Sequence, residues 1–361
     1  MKVLFLSSAK DIHTCRWVNE LVNQGISVDL VYCSNHDVGI HYIDERVICH
    51  RLPFQSGLGY YLNVASLKRI IKNINPDIIN AHYASGYGTL LRYAKFNKNV
   101  LSVWGADVYD FPYNSKISMR IIKKNLRYAD VICSTSKSMA KQVHSLIGEN
   151  KKIYITPFGV DVEKFKEKIN YFDNPKGITI GIVKRLEPKY GVRYLIEAMK
   201  IIVHDFGYHN VFLEIYGEGS EKNELIKLSK KMDLDRHVFF KGVVENSAIP
   251  KILSGFDLFA VSSILDSESF GVSVVEAMAT ALPIVATDVS GFVEVINNSV
   301  NGIIVPKKQP TFMAEAIKEL IDNKTRAIRL GKNARKKVLK EYNFSNNVED
   351  MIRIYRKVCN E

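Results

Sequence analysis

The sequence is poor in the residues that staple or metal-organise a small domain. Its five cysteines, Cys15, Cys33, Cys49, Cys133 and Cys359, are an odd number at irregular spacing, with no C-x-x-C pair in 361 residues. That excludes a disulfide framework and a zinc-ribbon pattern, and it fits a reducing, cytoplasmic setting. Proline and glycine are too few and too aperiodic for a collagen-like or low-complexity chain. No apolar run approaches the ~18–20 residues that span a bilayer. The opening Lys2-Val3-Leu4-Phe5-Leu6 meets Lys10-Asp11 almost at once. It is too short for a secretory signal and reads as a first buried strand.

What is present is ordinary globular material, 47% apolar and 24% charged. The length suggests two domains at ~100–200 residues each. The net charge of +12 is uneven: 23 basic against 14 acidic side chains up to residue 169, and 27 against 24 beyond it. A basic first half suits an anionic partner such as phosphate groups or an acidic lipid surface.

One unit recurs along the chain: a short apolar run, small or polar residues, then an amphipathic stretch. The runs are Val3–Leu6, Val28–Tyr32, Ile78–Asn80, Val100–Val103, Val131–Cys133 and Ile153–Ile155. A second series is Ile178–Val183, Val211–Tyr216, Val238–Phe240, Leu258–Val261, Ile284–Ala286 and Ile303–Val305. Strands alternating with helices predict parallel sheets covered on both faces, hence an α/β chain of two doubly wound, Rossmann-like domains. The expected division is 1–168 and 169–344, with a C-terminal helix at 345–361 returning to the first domain. Ligands of such sheets bind beyond the carboxyl ends of the strands, so the residues following each run are the candidates.

The sharpest segment is Glu268-Ser-Phe-Gly-Val-Ser-Val-Val-Glu276. It sets one carboxylate in a polar loop and another among Val274, Val275, Ala277 and Met278. A carboxylate in that company needs hydrogen-bond donors, which sugar hydroxyls would supply. Gly271 falls near the helix start, where free N–H groups favour oxygen-rich or anionic ligands. The second segment, Lys184-Arg185-Leu-Glu-Pro-Lys189-Tyr190-Gly191, directly follows a strand. Arg185 can hold a diphosphate through two hydrogen bonds and Lys189 through a point charge.

With Pro157-Phe158-Gly159-Val160-Asp161 before them, and with Tyr216-Gly217-Glu218-Gly219, Phe240-Lys241-Gly242 and Ala286-Thr287-Asp288-Val289-Ser290-Gly291, these segments resemble family-4 glycosyltransferases of the GT-B fold. The first half matches more loosely, through Asn80-Ala81-His82-Tyr83 and Trp104-Gly105-Ala106-Asp107. The resemblance implies two Rossmann-like domains facing a cleft. It also implies retaining, metal-independent transfer of a hexose or N-acetylhexosamine from a nucleotide-sugar, UDP before GDP, to a hydroxyl of a glycan or lipid-linked acceptor in cell-surface polysaccharide synthesis. No cofactor is implied beyond the nucleotide-sugar itself.

By the same resemblance, the first domain would bind acceptor and the second donor. Arg185 and Lys189 would neutralise the diphosphate. Glu268 would contact the donor sugar, beside the Phe270 and Gly271 backbone, and Glu276 would hold the ribose. Gly217 and Lys241-Gly242 would line the base pocket. Two departures stand out. Relatives often read Arg-Leu-x-x-x-Lys-Gly, which would put their lysine at Tyr190. Many also carry a histidine where this chain has Trp104, which leaves Asp107 as the acid/base candidate, with His13, His82 and Trp104 as acceptor or cleft residues.

Asp233-Leu-Asp235 precedes a strand and reads as a turn, not a metal motif. Gly217-Glu-Gly219 lacks the third glycine of a dinucleotide fingerprint. Lys116, Arg120, Lys123, Lys124 and Arg127 recur at helical spacing and suit an anionic membrane surface, which would make the chain a peripheral protein on the inner face. Two other readings fit less: a nucleotide-sugar epimerase or hydrolase on the same fold, and a basic nucleic-acid- or lipid-binding protein. Nucleic acid is not expected, because no basic stretch carries the interleaved aromatics of single-strand binders.

Overall fold

The computed structural model describes residues 1–169, 171–175 and 177–360. Asn170, Lys176 and Glu361, the last residue of the expected C-terminal helix, lie outside the described residues. The chain divides into two compact units, Met1–Phe158 with the segment from Ser345 onward, and Gly159–Phe344.

In unit 1 the strands are β1 (Lys2–Leu6), β2 (Ser27–Cys33), β3 (Ile48–Leu52), β4 (Ile78–His82), β5 (Asn99–Val103), β6 (Val131–Ser134) and β7 (Ile153–Ile155). They form a seven-stranded sheet in the order β3-β2-β1-β4-β5-β6-β7, every neighbouring pair parallel. β4 and β5 are buried along their whole length, as strands covered on both faces must be. β3 is the strand the apolar runs do not reveal. At the sheet edge it buries only Leu52, so it needs no apolar run.

The helix Ile12–Asn23 starts where the Asp11 carboxylate accepts the backbone N–H of His13, at 2.8 Å, and of Thr14, a side-chain N-cap. It buries Trp17, Val18, Leu21 and Val22 against the sheet. The final helix, Phe344–Asn360, belongs to this unit from Ser345 on. Its fully buried Tyr355 accepts a 2.6 Å hydrogen bond from the Asn80 side-chain amide on β4.

In unit 2 the strands are β8 (Ile178–Val183), β9 (Val211–Tyr216), β10 (Val238–Gly242), β11 (Leu258–Val261), β12 (Ile284–Thr287) and β13 (Ile303–Val305). They form a six-stranded parallel sheet in the order β10-β9-β8-β11-β12-β13. In each sheet the strand order reverses once, between β1 and β4 and between β8 and β11. These switch points open the crevices in which doubly wound sheets take ligands.

The boundary falls at 158/159, earlier than the expected 168/169. The reason is local pairing. The Val160 N–H donates to the Tyr342 carbonyl at 2.8 Å, and the Phe344 N–H donates to the Val160 carbonyl at 3.0 Å. Further on, the buried Lys168 ammonium pairs with Asp257 at 3.0 Å. Residues 159–168 are thereby built into unit 2.

Candidate active site

Unit 2 has a pocket of about 470 Å³ at the carboxyl ends of β8 and β9, closed by the loop after β10. Val183, Lys184 and Arg185 leave β8 along one wall, and Tyr216, Gly217 and Glu218 leave β9 along another. Gly217 is there for a steric reason. Its φ is +140°, and a Cβ on it would lie 1.9 Å from the Lys184 carbonyl oxygen. The two strand ends touch through that gap and fix the backbone of Lys184, whose N–H donates to the Tyr216 carbonyl at 2.9 Å.

Arg185 is exposed on the pocket wall, its guanidinium 3.5 Å from the Glu187 carboxylate. Lys189 does not line the pocket. Its ammonium stands over the Tyr190 ring at 4.9 Å, and the Lys184 ammonium stands over the same ring at 4.7 Å. Lys241 and Gly242, expected in the base pocket, are not on its wall either; Val243, Val244, Asn246 and Ile249 are. Lys241 instead pairs with Glu214 at 3.0 Å across neighbouring strands. The Gly242 carbonyl accepts the Gly217 N–H at 2.8 Å. Lys241 and Gly242 thus brace the strand ends, and the residues just after them face the space.

At the β8/β11 switch point, Glu268 is buried and its Oε2 lies 2.8 Å from the Lys184 Nζ. The turn Pro188–Tyr190 is tied to the loop after β11, where the Ile264 N–H donates to the Lys189 carbonyl at 2.9 Å. Gly191 closes that turn at φ +56°, where a Cβ would sit 2.4 Å from the Ser262 carbonyl oxygen. Gly271, at φ +74°, caps the start of the helix Val272–Ala279. The Phe270 ring meets Tyr342, centroids 5.6 Å apart. Glu276 lies on the half-buried stripe of its helix with Val272, while Val274, Val275, Ala277 and Met278 face the core. Helical geometry thus spares this carboxylate the apolar surroundings that its sequence neighbours suggest.

In unit 1, the ends of β1, β4 and β5 carry an aromatic column. His82 stacks on Phe5 with centroids 4.0 Å apart and meets Trp104 edge-on at 5.1 Å. Trp104 meets Phe158 at 5.3 Å, and Phe158 stacks on His13 at 4.1 Å. His13, His82 and Trp104 are therefore in one cluster, joined by Phe158 from the Pro157–Asp161 motif. Burial holds the His82 imidazole down to about 3. Burial first, then the nearby Arg16 and His41, does the same for His13.

Asp107 is not exposed at all. Its carboxylate accepts the backbone N–H groups of Ala84 at 2.7 Å, Gly105 at 2.8 Å and Trp104 at 3.1 Å. Desolvation raises its pKa against the lowering effect of these amides. An acid/base must reach the proton it moves, and this carboxylate is spent on the loops after β4 and β5. The sequence could not distinguish such a loop-organising aspartate from an exposed one.

The helix Lys116–Tyr128 is capped by Ser115 and buries Ile122, Asn125 and Leu126. Lys116, Arg120, Lys124 and Arg127 are exposed and Lys123 half-buried. Ile117 is exposed beside them. Among the described residues no three His, Cys, Asp or Glu side chains stand close enough to hold a metal. Among them, no helix is long and apolar enough to cross a membrane.

Comparison with known proteins agrees with this geometry. A family model described as glycosyl transferases group 1 matches residues 161–337, and one described as glycosyl transferase 4-like matches residues 2–136. An uncharacterized glycosyltransferase of Methanocaldococcus jannaschii is 30% identical over 238 residues, 62% of this chain and 59% of that relative. The UDP-Gal:alpha-D-GlcNAc-diphosphoundecaprenol alpha-1,3-galactosyltransferase of Escherichia coli is 24% identical over 359 residues, 93% of this chain and 90% of that one. The structure of Anabaena HepE in complex with UDP superposes with a TM-score of 0.80 at 18% identity, over 99% of this chain and 100% of the other. The chain is a glycosyltransferase of the family-4 type, with the two Rossmann-like domains of the GT-B fold.

Proposed function

We propose that the protein transfers a hexose or N-acetylhexosamine from a UDP-sugar, with GDP-sugar as the second choice, to a hydroxyl of a glycan or lipid-linked acceptor in cell-surface polysaccharide synthesis. The observation that carries this reading is the 470 Å³ pocket beyond β8 and β9, where Arg185 and Lys184 stand beside Gly217. The UDP-sugar in the name of the E. coli relative and the UDP bound to HepE support the choice of base.

In this reading the bond between the anomeric carbon and the β-phosphate oxygen breaks, and its electron pair leaves with the diphosphate. Cations placed at that oxygen lower the barrier because charge develops there. The acceptor oxygen attacks from the same face, its proton passes to the departing phosphate, and configuration is retained. Glu268 meets the donor sugar hydroxyls and Glu276 the ribose. Unit 1 takes the acceptor, with His13, His82 and Trp104 shaping its crevice and Asp107 positioning the Trp104 loop. No metal takes part. The exposed cations of Lys116–Tyr128 hold the protein to anionic lipid on the cytoplasmic face, where a lipid-linked acceptor is presented.

Incubation of UDP- and GDP-sugars with and without lipid-diphosphate glycans tests this. Acceptor-dependent product carrying the donor's anomeric configuration is expected. Release of free sugar or an epimer in the absence of acceptor would instead assign the chain to hydrolysis or epimerisation.

A further inference from the structure

The family-4 motif that this chain resembles often has a lysine where Tyr190 stands. Lys189, its neighbour in sequence, does not reach the pocket wall. Lys184 is part of that wall where it leaves the end of β8, next to Arg185. Its side chain is 12% exposed, its ammonium lies 2.8 Å from Glu268 and 4.7 Å above the Tyr190 ring. Its backbone is clamped by the contact with Gly217. We propose that Lys184, rather than Lys189, supplies the ammonium that binds and neutralises the donor diphosphate, with Tyr190 as an aromatic platform in the place of the missing lysine.

The proposal rests on the nucleotide-sugar reading of unit 2. Its physical basis is the cost of the ion pair. Two charges held out of water add little stability against an apolar pair of the same volume. A pair of this kind, one member of which leaves a strand end on the pocket wall, is explained when a ligand makes use of it. In the free protein Glu268 compensates Lys184. A diphosphate entering beside Arg185 offers the ammonium a stronger anion and leaves the Glu268 carboxylate to accept from sugar hydroxyls. The Tyr190 ring faces the ammonium with its negative π-surface and holds it without competing as an anion.

The test is calorimetric titration of UDP and of uridine into the full-length protein, with GDP and guanosine if guanosine nucleotides are the ones bound. Lys184→Met should weaken UDP about 10- to 100-fold and leave uridine unchanged, whereas Lys189→Met should cost less. Lys184→Met combined with Tyr190→Lys, which moves the ammonium to the relatives' position, should recover most of the UDP affinity. A purely structural Lys184 would not be rescued in this way. If Lys184→Met does not fold, Lys184→Met with Glu268→Gln removes both charges, and the ratio of UDP to uridine affinity is read on that variant. UDP affinity unchanged on loss of Lys184, or not regained with Tyr190→Lys, overturns the proposal. Failure of the wild-type protein to bind either nucleoside diphosphate would overturn the nucleotide-sugar reading itself.

Discussion

The Lys184 ammonium and the Glu268 carboxylate meet at 2.8 Å, with side chains 12% and 10% exposed. Removing one member of a buried pair leaves the other charge without compensation. Glu268→Ala should therefore lower stability by about 3 kcal/mol. The double change Lys184→Met and Glu268→Gln should restore it to within about 1 kcal/mol of wild type. Urea denaturation of the two variants beside wild type checks this. Equal losses in both would mean that the pair is not coupled.

Gly217→Ala probes the pocket without altering any charge. A Cβ there would meet the Lys184 carbonyl oxygen at 1.9 Å, and the +140° φ is itself unfavourable for alanine. The ends of β8 and β9 must then part, and with them the wall that carries Lys184 and Arg185. UDP affinity should fall at least about tenfold, the effect of misplacing one charge-assisted hydrogen bond. Far-ultraviolet circular dichroism should stay that of the wild type. Undiminished binding would show that the nucleotide does not use these strand ends.

The sheet interiors are legible because strands covered on both faces, such as Leu258–Val261 and Ile284–Thr287, must be written as apolar runs, and Val238–Gly242 shows as one through Val238, Phe239 and Phe240 although only Val238 is buried. The edge strand Ile48–Leu52 is not legible, since His50 and Arg51 interrupt its apolar residues and only Leu52 is buried. Within the site, the position of Arg185 beyond a strand followed from sequence order alone. The meeting of Lys184 with Glu268, the burial of Asp107 and the withdrawal of Lys241 did not. Each depends on which way a side chain turns at a strand end or in a loop, and spacing along the chain is silent on that.

His82 gives unit 1 a pH dependence of known sign. Both ring nitrogens are buried with no hydrogen-bond partner among the described residues. Burial takes the imidazole from 6.5 to about 3. Below pH 6.5 the unfolded chain binds a proton that the folded chain refuses, so stability falls as the pH drops from 6.5 towards 3. The slope is about 1.4 kcal/mol per pH unit in the middle of that window. His13 acts in the same sense. The raised carboxyls of Asp11 and Asp107, ordinarily at 3.8, oppose it at the acid end. His82→Phe, which keeps the stack on Phe5, should flatten the profile between pH 6.5 and 5, measured by urea midpoints. A profile identical to wild type would contradict the buried, neutral ring.

The cations of Lys116–Tyr128 predict salt-sensitive adsorption to lipid. Vesicles containing an anionic phospholipid should co-sediment the protein at low salt, and neutral vesicles should not. Changing Lys116, Arg120, Lys124 and Arg127 to glutamine should lose about 1 kcal/mol per residue of that binding. Recovery in the supernatant with anionic vesicles at low salt would remove the membrane from the account.

The most direct measurement is a crystal structure of the protein soaked with UDP or GDP. The nucleoside should lie in the pocket bounded by Gly217, Val244 and Ile249, with its diphosphate in hydrogen-bonding reach of Lys184 and Arg185. A nucleotide bound at any other place, or its diphosphate turned away from both cations, would contradict the assignment of unit 2 as the donor domain.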